Sequence, residues 1–236
     1  MKLSIVIPVY NERVFFPQLL ERVRAVPFEK EIIVVDDCST DGTREFVREL
    51  AAAGGWPGDD LNTLRVALHE RNQGKGGAIR TALALVGGDI VVVQDADLEY
   101  DPAEYPALLA PILAGRADVV YGSRFLGAPH RTHMFWHFAA NRFLTLVSNV
   151  FTNLNLTDME TCYKVFRAEL VPRLVLKSER FGFDPEITAR LARLKCRFYE
   201  VPISYHGRDY AEGKKITWRD GIVVLWSILR FNVFDR

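Results

Sequence analysis

Asp95 and Asp97 stand two residues apart directly after the apolar run 89–94, and Glu99 follows at the same spacing. Side chains at i and i+2 of an extended segment project to one side, so both aspartates can reach a single cation. Glu99 joins them if the chain stays extended. Hard oxygen donors suit Mg²⁺ or Mn²⁺, which commonly combine one or two carboxylates with substrate phosphates. A cation there would anchor a diphosphate and stabilise it as a leaving group, whereas bare carboxylates would repel it. The bland alternative is a solvated acidic loop. Similar groups close other apolar runs: Pro8, Tyr10 and Glu12 at the first, Asp36, Asp37, Ser39 and Asp41 at the second, and Ser123-Arg124 at a later one. Turn and capping chemistry can explain each cluster alone, Ser39 and Asp41-Gly42 in particular. It explains poorly why three acidic clusters and an arginine should share one edge.

That shared edge follows from the elements that carry the clusters. Residues 3–8, 31–36, 64–69, 89–94 and 118–122 read as strands without polar alternation. Helical patterns over 16–26, from Ser39 or Asp41 to about 53, over 77–86 and over 104–114 separate them. This order predicts an α/β fold with a mainly parallel central sheet and helices on both faces. Ligands of such sheets bind beyond the carboxyl ends of the strands. After Tyr121 the pattern changes to a long helix over 136–151, short strands near 160–166 and 197–201, and helices near Leu170 and over 185–194. A charged loop over 206–215 leads to a last helix from Trp218. The expectation is one catalytic domain over 1–236, with a nucleotide-binding half (1–122) and an acceptor-binding half (123–236) that ends in that helix.

Composition narrows the classes. Lys and Arg total 30, as do Asp and Glu, so the formal net charge is zero. Nucleic-acid binding by bulk charge is therefore not expected. Cys38, Cys162 and Cys196 are far apart and show no CxxC spacing, which predicts neither a disulfide framework nor a zinc ribbon and suits a reducing compartment. No apolar run approaches a membrane span. Residues 134–151 and 222–229 come closest, and either could lie on a bilayer. The N-terminal segment does not read as a signal peptide. A soluble or peripheral cytoplasmic protein, acting at the cytoplasmic face of a membrane if peripheral, is expected.

The segments Ile7-Pro-Val-Tyr-Asn-Glu12, Val34-Val-Asp-Asp-Cys-Ser-Thr-Asp-Gly42, Asn72-Gln-Gly-Lys-Gly-Gly77 and Gln94-Asp-Ala-Asp-Leu-Glu-Tyr100 resemble glycosyltransferase family 2. The likeness points to its polyprenyl-phosphate (dolichol-phosphate) mannose synthase branch. Gly122-Ser-Arg-Phe125, Thr157-Asp-Met-Glu-Thr-Cys-Tyr-Lys-Val-Phe166, Arg208 and Glu212-Gly-Lys-Lys-Ile216 extend it, in order, across about residues 3 to 220. The resemblance implies a GT-A fold and an inverting, metal-dependent transfer of mannose or glucose from GDP-mannose or UDP-glucose to a lipid phosphate. It implies that Pro8, Tyr10, Glu12 and Asp37 line the nucleoside pocket. Asp95, Ala96 and Asp97 form a DXD motif for metal and diphosphate, with Glu99 where some relatives have a third ligand. Arg208 and Lys214 or Lys215 would close over the diphosphate, and Arg124 would bind the acceptor phosphate.

Several assignments stay open on sequence alone. Arg142 is a second acceptor candidate or an ordinary snorkelling residue. Gly74-Lys-Gly-Gly77 lacks P-loop spacing and reads as a tight turn packed on the sheet, with a nucleotide contact by Lys75 as the alternative. Phe135, Trp136, Phe138, Phe143 and Leu144 make either helix core, the expected reading, or a lipid-facing surface. A lipid phosphate is already anionic and needs no base, whereas a saccharide hydroxyl would need one, with Asp158, Glu160 and Asp184 as candidates. That hydroxyl-acceptor enzyme is the alternative function. A processive synthase is disfavoured by the missing QxxRW motif. A binding module without turnover is the remaining alternative class.

Overall fold

Valine and isoleucine on both sides of a strand leave no face for water, and the fold buries them accordingly. The computed structural model describes residues 1–127, 131, 134–180, 182–207 and 218–235. Its seven strands are β1 (Leu3–Val9), β2 (Lys30–Asp36), β3 (Asn62–Leu68), β4 (Ile90–Val93), β5 (Val119–Ser123), β6 (Lys164–Arg167) and β7 (Phe198–Pro202). They form one sheet in the order β3-β2-β1-β4-β6-β5-β7. All neighbours run parallel except β6, which is antiparallel to β4 and β5. Ile5 lies in register with Ile32 on one side and Val92 on the other, at the centre of the core. The expected mainly parallel α/β class is the class observed.

The helices are α1 (Phe16–Ala25), α2 (Thr43–Ala52), α3 (Gly74–Leu83), α4 (Tyr105–Leu113), α5 (Phe135–Thr152), α6 (Phe183–Arg193) and α7 (Trp218–Leu229). Two elements differ from expectation for clear reasons. The helix near Leu170 is a 3₁₀ segment, Ala168–Arg173, because Pro172 removes a backbone donor from the run. Strand β6 starts at Lys164 rather than near 160, because the Lys164 ammonium turns back onto the carbonyls of Met159 and Thr161 and curls that segment into a turn. No helix among the described residues is long and apolar enough to cross a membrane.

Helix α5 reverses the expected polarity. Its buried residues are Leu144, Thr145 and Ser148, whereas Trp136 is 79% and Phe135 67% exposed, and Phe138 and Phe143 are exposed as well. The core reading therefore holds for Leu144 and fails for the four aromatics. The cause is the loop beneath. Thr145 Oγ1 accepts from the Met159 N–H at 3.1 Å, and Asn149 brackets Leu156, accepting from its N–H at 3.1 Å and donating to its carbonyl at 2.8 Å. The helix spends its polar side on that loop and turns its apolar side outward.

Helix α3 begins three residues earlier than its apolar pattern suggested, and its glycines explain how. A Cβ on Gly76 would lie 2.4 Å from the Ser178 carbonyl oxygen, and one on Gly74, where φ is +80°, would lie 2.4 Å from that of Glu179. The first turn of α3 thus sits against the 178–180 backbone, and the Gly77 N–H donates to Glu179 O at 3.0 Å. Gly76→Ala is expected to destabilise the fold by about 1–3 kcal/mol through this backbone clash. Gly221→Ala, with open space around it in α7, should be neutral or slightly stabilising. Urea denaturation of the two variants checks both outcomes.

Candidate active site

At the carboxyl edge of the sheet lies a cavity of about 420 Å³. Its walls come from the ends of β1, β2, β4 and β5, the first turn of α3, the turn before β6 and the start of α6. The loops after β1 and β2 are stitched together by side chains. Asn11 Oδ1 accepts from the Thr40 N–H at 2.8 Å, Ser39 Oγ from Asn11 N–H at 3.0 Å and Thr43 Oγ1 from Glu12 N–H at 3.1 Å. Asp41 accepts from the N–H and hydroxyl of Thr43 at the start of α2, so the capping reading of this residue describes its geometry. This lacing presents Pro8, Tyr10 and Glu12 along the cavity wall.

Asp37 also reaches the wall, but its carboxylate is largely engaged. It accepts from the Gln73 and Gly74 N–H groups at 2.8 and 2.7 Å, and His69 Nδ1 lies 2.7 Å away. The exposed N–H groups at the start of a helix favour a carboxylate, and Asp37 meets them. It therefore fixes the start of α3, and with it the position of Lys75.

Lys75 Nζ lies 2.7 Å from Asp95 Oδ1 inside the cavity. Burial opposes both charges, but each outweighs that penalty for the other. The Asp95 carboxyl is held below its usual range and the Lys75 ammonium well above its own. The close-packed turn and the charged contact, set as alternatives for this segment, are thus both present: the glycines pack and the lysine reaches into the site.

The carboxylates expected as one ligand set are not gathered into one. Among the described residues no three His, Cys, Asp or Glu side chains are arranged to hold a metal. Lys75 takes Asp95, and the Tyr205 hydroxyl donates to Glu99 Oε2 at 2.7 Å. Asp97 Oδ1 accepts from the Glu99 N–H at 3.1 Å and lines the cavity with Asp95 and Ala96. Two hard oxygen donors on one wall still fit a Mg²⁺ or Mn²⁺ ion that completes its shell from a diphosphate.

Arg124, also lining the cavity, binds Asp158 in a bidentate pair, Nε to Oδ2 at 2.6 Å and Nη2 to Oδ1 at 2.7 Å. Tyr205 lies beneath the guanidinium, 5.1 Å from its centre. Lys164 pairs with Asp184 at the base. Arg142 is exposed, donates to the Thr157 carbonyl at 3.2 Å and does not line the cavity. Arg208, Lys214 and Lys215 lie outside the described residues.

Glu160 lines the same cavity. Burial, together with the neighbouring Asp184 charge, pushes its carboxyl up to about 8. The neutral acid is thereby favoured over the carboxylate. Cys162, Arg180 and Tyr205 also line the site and carried no functional signal in the sequence. The Cys162 thiol is pushed up by burial and by Asp95, which favours the neutral thiol over the thiolate. Arg180, adjacent to α3, is exposed and makes no ion pair among the described residues.

A mainly parallel sheet with paired aspartates at its carboxyl edge and a half-open cavity beyond them is the GT-A arrangement of nucleotide-sugar transferases. The chain belongs to glycosyltransferase family 2, whose model, Glycosyl transferase family 2, matches residues 4–175. It is a glycosyltransferase. It is 32% identical over 224 residues to an undecaprenyl-phosphate mannosyltransferase of Micrococcus luteus, covering 91% of this chain and 87% of that protein. It is 30% identical over 217 residues to an undecaprenyl-phosphate 4-deoxy-4-formamido-L-arabinose transferase of Proteus mirabilis, covering 90% of this chain and 62% of that longer protein. The fold matches glucosyl-3-phosphoglycerate synthase of Mycobacterium tuberculosis, solved with Mn²⁺ and UDP-glucose, at a TM-score of 0.73 and 20% identity over 98% of this chain and 79% of that one.

Two measurements test the electrostatics. Asp158→Asn leaves the Arg124 guanidinium without its counter-charge and should cost about 3–5 kcal/mol in denaturant unfolding. For Glu160 the folded pKa of about 8 exceeds the ordinary value of 4.5, so the folded state holds the extra proton between these limits. Stability from this group is full below the lower value and is lost as pH rises through the upper one. Glu160→Gln should therefore melt higher than the wild type at pH 8 and alongside it near pH 4, as thermal unfolding across that range would reveal.

Proposed function

We propose that this chain transfers a hexosyl group from a nucleoside diphosphate sugar to a polyprenyl phosphate, with inversion at the anomeric carbon. The observation that carries the choice of acceptor is the state of the three carboxylates able to act as a general base. Asp158 is clamped by Arg124, Asp184 is paired with Lys164, and burial pushes the Glu160 carboxyl toward its neutral form. A hydroxyl acceptor would need one of them free and ionised. A phosphate acceptor needs none, because its oxygen is already an anion and has only to be positioned and neutralised. The undecaprenyl-phosphate transferases among the relatives support the same acceptor class.

In this reading Pro8, Tyr10 and Glu12 hold the nucleoside, and Asp37 acts on it by ordering the first turn of α3. Asp95 and Asp97 hold Mn²⁺ or Mg²⁺ with the diphosphate, and Ala96 contributes backbone. The ion supplies positive charge to the departing nucleoside diphosphate. Lys75 holds Asp95 ionised and adds charge beside the same phosphates. Arg124 receives the acceptor phosphate while its pair with Asp158 fixes its plane. Arg142 stands outside the cavity, where it would meet an approaching phosphate. Arg208 and Lys214 or Lys215 remain the residues assigned to closing over the diphosphate.

The lipid tail needs an apolar platform, and the outward aromatics of α5 supply one. Trp226 and Phe234, on α7 and the π-helical turn Arg230–Phe234 that follows it, are also exposed. Such faces suit the headgroup boundary of a bilayer. This supports a peripheral position at a membrane. Vesicles of phosphatidylcholine and phosphatidylglycerol should float the wild-type protein, and Trp136→Ser with Trp226→Ser should leave it in solution.

Nucleotide release tests the activity. GDP-mannose and UDP-glucose are each incubated with Mn²⁺, with and without a short-chain polyprenyl phosphate. Release from one donor should require the lipid phosphate, and Asp97→Ala should lower it at least a hundredfold. Release that ignores the lipid, or rises with a saccharide acceptor instead, supports the hydroxyl-acceptor enzyme.

A further inference from the structure

Three carboxylates in or beside the cavity each have a cation: Asp95 has Lys75, Asp158 has Arg124 and Asp184 has Lys164. Among the described residues Glu160 has none, and its Oε1 is buried with no hydrogen-bond partner there. Buried polar atoms are seldom left so, and when the protein supplies no partner a ligand or ordered water usually does.

The surroundings of Glu160 select the chemistry of that ligand. Asp184 and Asp158 lie near it, each already neutralised by Lys164 or Arg124, so a phosphate placed against Glu160 itself finds no uncommitted positive charge among the described residues to offset its desolvation. An uncharged hydroxyl meets no such penalty. It can accept from a carboxylic acid or donate to a carboxylate, and so it satisfies Glu160 in either protonation state. A nucleoside diphosphate sugar carries hydroxyls at both ends, on ribose and on hexose. Sheet order separates them. Tyr10, Glu12 and Asp37 follow β1 and β2, whereas Glu160 precedes β6, on the far side of the Asp95–Asp97 pair that follows β4. With the diphosphate at that pair, the hexose lies toward β6.

We infer that Glu160 hydrogen-bonds a hydroxyl of the hexose being transferred and thereby selects the donor sugar. This rests on the donor site proposed above and is independent of the acceptor.

Calorimetric titration without any acceptor tests it. UDP is compared with UDP-glucose, and GDP with GDP-mannose, all with Mn²⁺, on wild type, Glu160→Ala and Glu160→Gln. For the pair that binds, Glu160→Ala should weaken the nucleotide sugar about tenfold and leave the free nucleotide within about twofold. Glu160→Gln keeps a donor and an acceptor at nearly the same size and should stay within about threefold for both. Equal weakening of nucleotide and nucleotide sugar would overturn the inference, as would no change in either. A wild type that binds neither pair overturns the donor site itself, and the inference with it. Transfer to a hydroxyl rather than to a lipid phosphate would change none of these titrations.

Discussion

Neutralisation of carboxylates in a sheltered cavity is the constraint on which this site depends. Two unit charges 4 Å apart interact by about 4 kcal/mol at an effective dielectric of 20, so several bare carboxylates would expel any phosphate. The fold answers at three of them with a cation from a separate element: Lys75 from α3, Arg124 from the end of β5 and Lys164 from β6. At Glu160, which has no ion-pair partner among the described residues, burial favours the protonated form instead. In the proposed reaction this acidic-looking set receives the diphosphate of the donor and the phosphate of the acceptor.

Each of these cations is itself positioned by close packing. Lys75 points inward because the glycines of α3 allow the helix to sit directly on the 178–180 backbone, and because Asp37 caps its first turn. Arg124 keeps its orientation because Asp158 lies on a loop that α5 grips with Thr145 and Asn149. That grip has a second consequence. A helix that turns its polar residues to the protein must turn its aromatic ones to the solvent, so one arrangement orders the arginine and also creates the apolar platform above it.

The parallel sheet and the strand-end clusters were legible because both rest on local patterns, uninterrupted Val and Ile runs and the polar residues that end them. The two aspartates were legible for the same reason. Pairings between distant segments were not. Nothing in the spacing of Lys75 and Asp95, or of Lys164 and Asp184, tells which carboxylate meets which cation, since those distances are fixed by how α3, β4, β6 and α6 converge. Helix α5 misled for a related reason: periodicity identifies an apolar face without saying where it points. Cys162 and Arg180 became visible only as walls of a cavity.

In the proposed reaction the phosphate anion of the acceptor attacks the anomeric carbon without a protein base, and the nucleoside diphosphate departs. Analysis of the product tests it most directly. With an α-linked nucleotide sugar and a short polyprenyl phosphate, mass spectrometry and NMR of the lipid fraction should find one hexose joined through the phosphate in the β configuration. A hexose on any hydroxyl, or an α-linked phosphodiester, would contradict the account.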